Sequence, residues 1–319
     1  MEMTLPALVD LFVATKRTEG RSINTITWYG DMLRPFVKFL DQASTLKDIT
    51  LDAGRAFIAS LQERTTRFDD HPKSHQQEGG LSIASIHGYV RTLKVFGAWL
   101  LEDGLLPKNP FIRLKRPKLP ETIIEILTDE EIKNLVSSIN PNCVLGARLY
   151  TIVSLLLDTG IRATELITLK VNNIDMDSDR FKVMGKGNKE RFVPFGATAK
   201  KAILRYVSTW RPLPRDDRCD VFILSLEGDP LTYDGLSHII KRMGISSGIP
   251  RLHAHLFRHT FAVKYLMNGG DVMSLRMILG HTDLSVTQVY MHLAQSHIQI
   301  QHQKFSPLDR LGLKPKRRS

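Results

Sequence analysis

From Thr4 to Asp103, apolar residues return every three or four positions. Leu8, Leu11 and Phe12 form one stripe and Tyr29, Leu33, Phe36 and Leu40 another, the spacing that stacks side chains on one face of an α-helix. Helix starts are expected at Ser22 and Ser82, whose hydroxyls can accept from the unpaired amides of a first turn. Pro35 interrupts the second stripe and predicts a kink, because proline lacks an amide donor and crowds the preceding turn. Between Thr65 and Gly80 the period disappears. Asp69, Asp70, Pro72, Ser74, Gly79 and Gly80 predict a flexible loop there.

A second break runs from Gly104 to Glu121, where Pro107, Pro110, Pro117 and Pro120 are interleaved with Lys108, Arg113, Lys115, Arg116 and Lys118. The composition fits a basic interdomain strap and, equally, a merely solvated linker. Beyond it, Thr128 with Glu131 forms a capping box, and an apolar helix from Leu149 to Leu157 stops at Gly160. Then the period changes. Leu169, Val171, Phe181, Val183, Phe192 and Val193 alternate with polar residues around turns rich in Gly and Asn, which predicts a small antiparallel sheet between Leu169 and Pro194. Helical spacing resumes at Thr198 and continues nearly to the end. The expected protein is mainly α with a small antiparallel β-sheet in the second of two domains: helical over 1–103, a basic linker over 104–121, and a second domain over 122–319.

Composition narrows the function. A chain of 319 residues with 42% hydrophobic content can bury two cores, and a net charge of +11 attracts polyanions, nucleic acid first among them. No apolar run approaches the roughly 20 residues of a membrane span, and the first residues lack a secretory layout, so the expected location is the cytoplasm, at the nucleoid, with no membrane partner. Cys143 and Cys219 stand far apart and outside any CxxC pattern, which predicts neither a disulfide framework nor a zinc site.

Three suggestive motifs fail on their chemistry. Gly185-Lys186-Gly187-Asn188 lacks the spacing of a phosphate loop and its hydroxyl residue after lysine. The run from Asp175 to Asp179 begins like a calcium loop, but Arg180 replaces the needed glycine and Lys186 the closing glutamate. His255 and His259 lie four apart as in a zinc protease, yet Leu256 occupies the place of the catalytic glutamate. No cofactor and no metal are expected.

What remains is a set of polar residues within apolar helices, where polar groups are costly unless paired or used. In the segment from Thr159 to Leu166, Arg162 follows the Gly160 stop and Glu165 lies three residues on, close enough to hold its guanidinium. In His255-Leu256-Phe257-Arg258-His259, His255 and Arg258 share a helix face. Two arginines from separate helices can clamp one phosphate with their planar donor forks. Either motif alone also fits a salt bridge or a core histidine.

Taken in order, these segments resemble the tyrosine recombinase family, especially its Xer and phage-integrase branch, over nearly the whole chain. The run from Leu279 through Gly280-His281 to Tyr290 resembles the family's Leu-Gly-His block and its nucleophilic tyrosine. His255 to Ala262 resembles the His-x-x-Arg box, Thr159 to Leu166 the first arginine box, and Gly185 to Arg191 the hairpin that bears the catalytic lysine. The amino-terminal helices resemble the family's core-binding domain, and the segment after Tyr290 its C-terminal exchange segment. The Thr65 to Gly80 insertion and Pro35 depart from the pattern. The resemblance implies a two-domain DNA clamp that cuts and rejoins strands through a 3′-phosphotyrosyl link and a Holliday junction. It implies catalytic roles for Arg162, Lys186, His255, Arg258, His281 and Tyr290, with Glu165 in support and Lys115, Arg116, Lys118, Lys189 and Arg191 on DNA.

Within that reading Arg162 and Arg258 neutralise the phosphate, His255 takes the Tyr290 proton, Lys186 protonates the leaving 5′ oxygen, and His281 bonds the phosphate. The implied partners are double-stranded DNA carrying specific recombination sites and three further copies of the chain in a synaptic homotetramer. Two rivals are a type IB topoisomerase, disfavoured by the helical first domain and the His-x-x-Arg form, and a catalytically silent DNA clamp, which has no need of Tyr290. The sequence leaves open integration and excision against replicon dimer resolution, and any accessory proteins.

Overall fold

In the computed structural model, which describes residues 3–67, 76–120, 124–185 and 189–280 together with Tyr290 and Ser306, the amino-terminal stripes become four helices. These are α1 (Leu5–Thr18), α2 (Ile23–Leu40), α3 (Leu51–Glu63) and α4 (Ile83–Glu102). Ser22 and Ser82 cap α2 and α4, their side chains accepting from the amides of Thr25 and Ser85. Pro35 is buried inside α2, which continues through it to Leu40. The stripes meet in an aromatic core, where Phe12 packs edge-on against Tyr29 and Phe96, and Phe36 against Phe57 and Phe111. Each such burial contributes about 1.5–3 kcal/mol.

Phe111 and Leu114 change the reading of the proline-rich strap. Both are buried in this core, Asn109 accepts from the Phe111 amide at 2.9 Å, and Lys94 Nζ donates to the Leu114 carbonyl at 3.1 Å. Two apolar anchors among the prolines thus hold the first half of the segment on the helices, and the exposed cations Lys115, Arg116 and Lys118 follow. The ends of the Thr65 to Gly80 segment are also ordered, as antiparallel two-residue strands β1 (Thr66–Arg67) and β2 (Gln77–Glu78). Asp69, Asp70, Pro72 and Ser74 lie outside the described residues.

Contacts divide the chain into two units, Met1–Thr122 and Ile123–Ser319. In the second, the expected capping box opens α5 (Asp129–Ser137), with Thr128 and Glu131 each accepting from the other's amide. The apolar helix α6 (Val144–Thr159) buries Ile152, Val153, Leu155 and Leu156 at the centre of the unit. After the short α7 (Ala163–Ile167), the strands β3 (Ile174–Asp175), β4 (Arg180–Met184) and β5 (Glu190–Pro194) form an antiparallel sheet in that order. Ile174 faces Phe181 and Phe181 faces Val193, so the alternation in sequence sends Phe181, Val183 and Val193 into the core.

Helix resumes with α8 (Ala197–Arg205) and continues in α9 (Tyr233–Ser246), α10 (Ala254–Met267) and α11 (Val272–Leu279). Helix persists past α8 as a π turn over Tyr206–Trp210, and the expected helical spacing then fails up to α9, because Pro212, Pro214 and Pro230 remove amide donors; short bridges pair Lys170 with Val221 and Leu224 with Pro230 instead. Among the described residues no helix is long and apolar enough to cross a membrane. Lys186, His281 and the apolar tail positions Ile298, Ile300, Phe305, Leu308 and Leu311 lie outside the described residues.

Candidate active site

Where α6 ends, Gly160 takes the left-handed conformation with φ +60°, which strains any residue bearing a Cβ. A Cβ here would also strike the side chains of Phe261 and Leu279, so glycine lets α6 stop directly against α10 and α11. The carbonyl of Gly160 then accepts from Arg258 Nη1 at 2.7 Å. Arg162 follows at the start of α7. Its amide and its Nη1 both donate to the Glu165 carboxylate at 2.9 Å, and Nη1 also donates to the Leu279 carbonyl at 3.3 Å. Among the described residues Nε and Nη2 of Arg162 make no hydrogen bond, and the side chain is 29% exposed, so one edge of its guanidinium stays open.

Glu165 is 3% exposed, and a carboxylate so buried is costly unless it is paired. Strand β5 supplies the second partner. Arg191 donates from Nη1 and Nη2 to the two carboxylate oxygens at 2.7 and 2.8 Å, and from Nε to the Ile278 carbonyl at 2.8 Å. Burial opposes ionisation of Glu165, but the arginine bonds, those of Arg191 foremost, hold its pKa below the usual carboxylate range. Arg191 was expected on DNA; here its side chain is 12% exposed and its guanidinium is engaged with the buried carboxylate. Gly280, at φ +65°, leaves room for it, since a Cβ there would lie 3.0 Å from the Arg191 side chain.

On α10, His255, Arg258 and His259 share one face. Arg258 is 2% exposed and its Nη2 donates to the Leu279 carbonyl at 2.8 Å. Burial, and then the nearby Arg162, lowers its pKa to about 10, so it remains charged at neutral pH. The rings of His255 and His259 meet edge-on at 4.9 Å. Loss of hydration, followed by His255, His253 and Arg258, pulls His259 down to about 4, and His255 shifts in the same direction through loss of hydration and Arg258.

The hydroxyl of Tyr290 lies 2.8 Å from His259 Nδ1, and its O–H donates when that nitrogen is the unprotonated one of the neutral ring. Tyr290 is 3% exposed, and burial pushes its phenol above the usual range against the pull of Arg258 and Arg162. Beside Arg162, His255 and Arg258 opens a cleft of about 400 Å³, to which Tyr233, Lys241 and His253 add polar groups among apolar side chains such as Leu236 and Ile240.

Arg162, Glu165, His255, Arg258 and Tyr290 are thus brought together by three helix ends and one helix face. Lys189 is exposed at the foot of the β4–β5 turn. His255 was expected to meet the phenolic proton; in this structure the ring within reach of the hydroxyl is that of His259, one residue past Arg258. Sequence reasoning also missed the carbonyls of Gly160 and Leu279, which carry no side-chain signal, whereas His259 stood in view one residue past the arginine.

Residues 125–297 match the sequence model of the phage integrase family. The chain belongs to the phage integrase family. It is 32% identical over 292 residues to tyrosine recombinase XerD of Listeria monocytogenes serotype 4b (strain F2365), a match covering 90% of this chain and 94% of that protein. It is also 32% identical over 308 residues to tyrosine recombinase XerC of Bacillus pumilus (strain SAFR-032), covering 94% and 96%. Its activity is that of a tyrosine recombinase, and its function is site-specific recombination. Solved structures share the fold. The XerH site-specific recombinase bound to palindromic difH substrate in a post-cleavage complex superposes with a TM-score of 0.69 at 20% identity, over 92% of this chain and 82% of that one. The Tn1549 transposon integrase in complex with transposon right end DNA gives 0.71 at 19%, over 95% and 100%.

Proposed function

We propose that the cleft seats one phosphate of double-stranded DNA and that Tyr290 is the nucleophile that breaks its backbone. The observation that carries this reading is the convergence on one cleft of two arginines, one held rigidly by carbonyls and one with an open edge, beside a buried tyrosine hydroxyl. A phosphodiester is anionic and repels nucleophiles until its nonbridging oxygens are neutralised. Arg162 and Arg258 do this. The Tyr290 Oη–P bond forms, the P–O5′ bond breaks, and the phenolic proton passes to a base while the leaving 5′ oxygen takes another from an acid.

Lys186 is assigned as that acid and His281 as a further phosphate donor, both by family resemblance. His259 is too weak a base in this arrangement to ionise a phenol whose own pKa is raised. The pair therefore holds the nucleophile protonated at rest; an entering anion strengthens His255 and His259 as bases but raises the phenol as well, so Arg258 and Arg162 must stabilise the phenolate as it forms. The ester energy is retained in the 3′-phosphotyrosyl link, so the reverse attack by a 5′ hydroxyl reseals the strand, first into a Holliday junction and then into products. Four protomers on two sites, acting in the cytoplasm at the nucleoid, fit this chemistry, whether for mobile-element integration and excision or for replicon dimer resolution.

A suicide duplex nicked beside the cleavage point tests the assignment. Wild-type protein should accumulate as a covalent adduct, and Tyr290→Phe should bind the duplex with similar affinity yet form none. Normal adduct from the Phe variant would move the nucleophile elsewhere.

A further inference from the structure

The site holds more positive charge than its phosphate-facing groups account for. Glu165 is a buried anion in contact with Arg162, and left alone with it the pair would cancel: the carboxylate would neutralise the arginine intended for the phosphate and face the phosphate itself across a site of low dielectric. Arg191 changes this balance. It engages both oxygens of Glu165 in a fork at 2.7 and 2.8 Å, where Arg162 offers the same carboxylate only one side-chain nitrogen, at 2.9 Å. Resting on the catalytic reading above, we propose that Arg191 is a positioning residue that neutralises Glu165, so that Arg162 keeps its charge and its open edge for the scissile phosphate.

Three features favour this over simple structural support. The fork uses Nη1 and Nη2 while Nε is fixed separately on the Ile278 carbonyl, so the guanidinium is aligned on the carboxylate from two sides. Arg162 donates to Glu165 and to the Leu279 carbonyl from one nitrogen, leaving Nε and Nη2 with no hydrogen bond among the described residues. Arg191 is 12% exposed and lies behind Glu165 rather than among the residues lining the cleft, so it acts on the phosphate through another group.

The test compares two nicked suicide duplexes, one with a normal scissile phosphodiester and one with a neutral methylphosphonate at that position, in which no nonbridging charge remains to be neutralised. Arg191→Met should slow adduct formation on the phosphodiester by about 100-fold, the order expected when a catalytic group is misplaced or miscompensated. On the methylphosphonate it should approach the wild-type rate. Adding Glu165→Gln to Arg191→Met removes the uncompensated carboxylate and should recover much of the phosphodiester rate. Arg191→Lys, which keeps the charge but not the fork, should fall between wild type and Arg191→Met, and it carries the same comparison if the Met variant fails to fold. Equal losses on the two duplexes, or a double variant no better than Arg191→Met, would assign Arg191 a purely structural role. Absence of adduct from the wild type on the phosphodiester duplex would instead overturn the catalytic reading and this proposal with it.

Discussion

The Tyr290 hydroxyl meets a histidine that is neutral at pH 7, because loss of hydration and its neighbours His255, His253 and Arg258 hold His259 at a pKa of about 4. Unfolded, the same ring titrates near 6.5. Between those values the unfolded chain binds a proton that the folded chain refuses, so stability falls as pH drops from about 6.5 toward about 4, and the full contribution is present above 6.5. Urea unfolding at pH 7 and pH 5 should show this loss, and His259→Asn should reduce it; an undiminished loss in the variant would place the titration elsewhere, with His255, shifted in the same direction, next to consider. At this scale the sequence was informative about residue type and less so about partners. Arg162, Glu165, His255 and Arg258 stood out as polar groups in apolar helices, and Tyr290 through the resemblance of the run that follows Leu279. Arg191 did not, because a cation on a basic hairpin reads as a DNA contact until a buried carboxylate is found beneath it.

Helix ends, more than helix bodies, build the site. Gly160 stops α6 where its carbonyl meets Arg258, and the last carbonyls of α11 serve Arg162, Arg191 and Arg258. Gly160→Ala, if it keeps φ +60°, is strained and must also displace Phe261 and Leu279. It should lower stability by about 1–3 kcal/mol and reduce adduct formation along with it, read as a shift in Tm and in trapping rate. An unchanged Tm would mean that the turn adapts freely. The caps at Ser22, Ser82 and Thr128, the glycine stop and the alternating strands were all legible, since each is a local rule of backbone chemistry. The anchoring of Phe111 and Leu114 in the first core was not, because prolines and cations around two apolar residues give no period to detect.

At the scale of the whole molecule, a net charge of +11 and two units joined through a segment rich in Lys and Arg describe a protein drawn to a polyanion, and the residues proposed for the reaction all belong to the second unit. The buried tyrosine, and not a more open one, is proposed to carry the DNA. Tyr233 lines the cleft and is 54% exposed, whereas Tyr290 is 3% exposed, so accessibility alone favours the wrong residue. The most direct measurement is to trap the wild-type protein on a nicked duplex, digest both components, and locate the nucleotide-bearing peptide by mass spectrometry. A nucleotide joined through its 3′ phosphate to Tyr290 is the expected result; its appearance on Tyr233 or Tyr265, with Tyr290 unmodified, would contradict the assignment of the nucleophile.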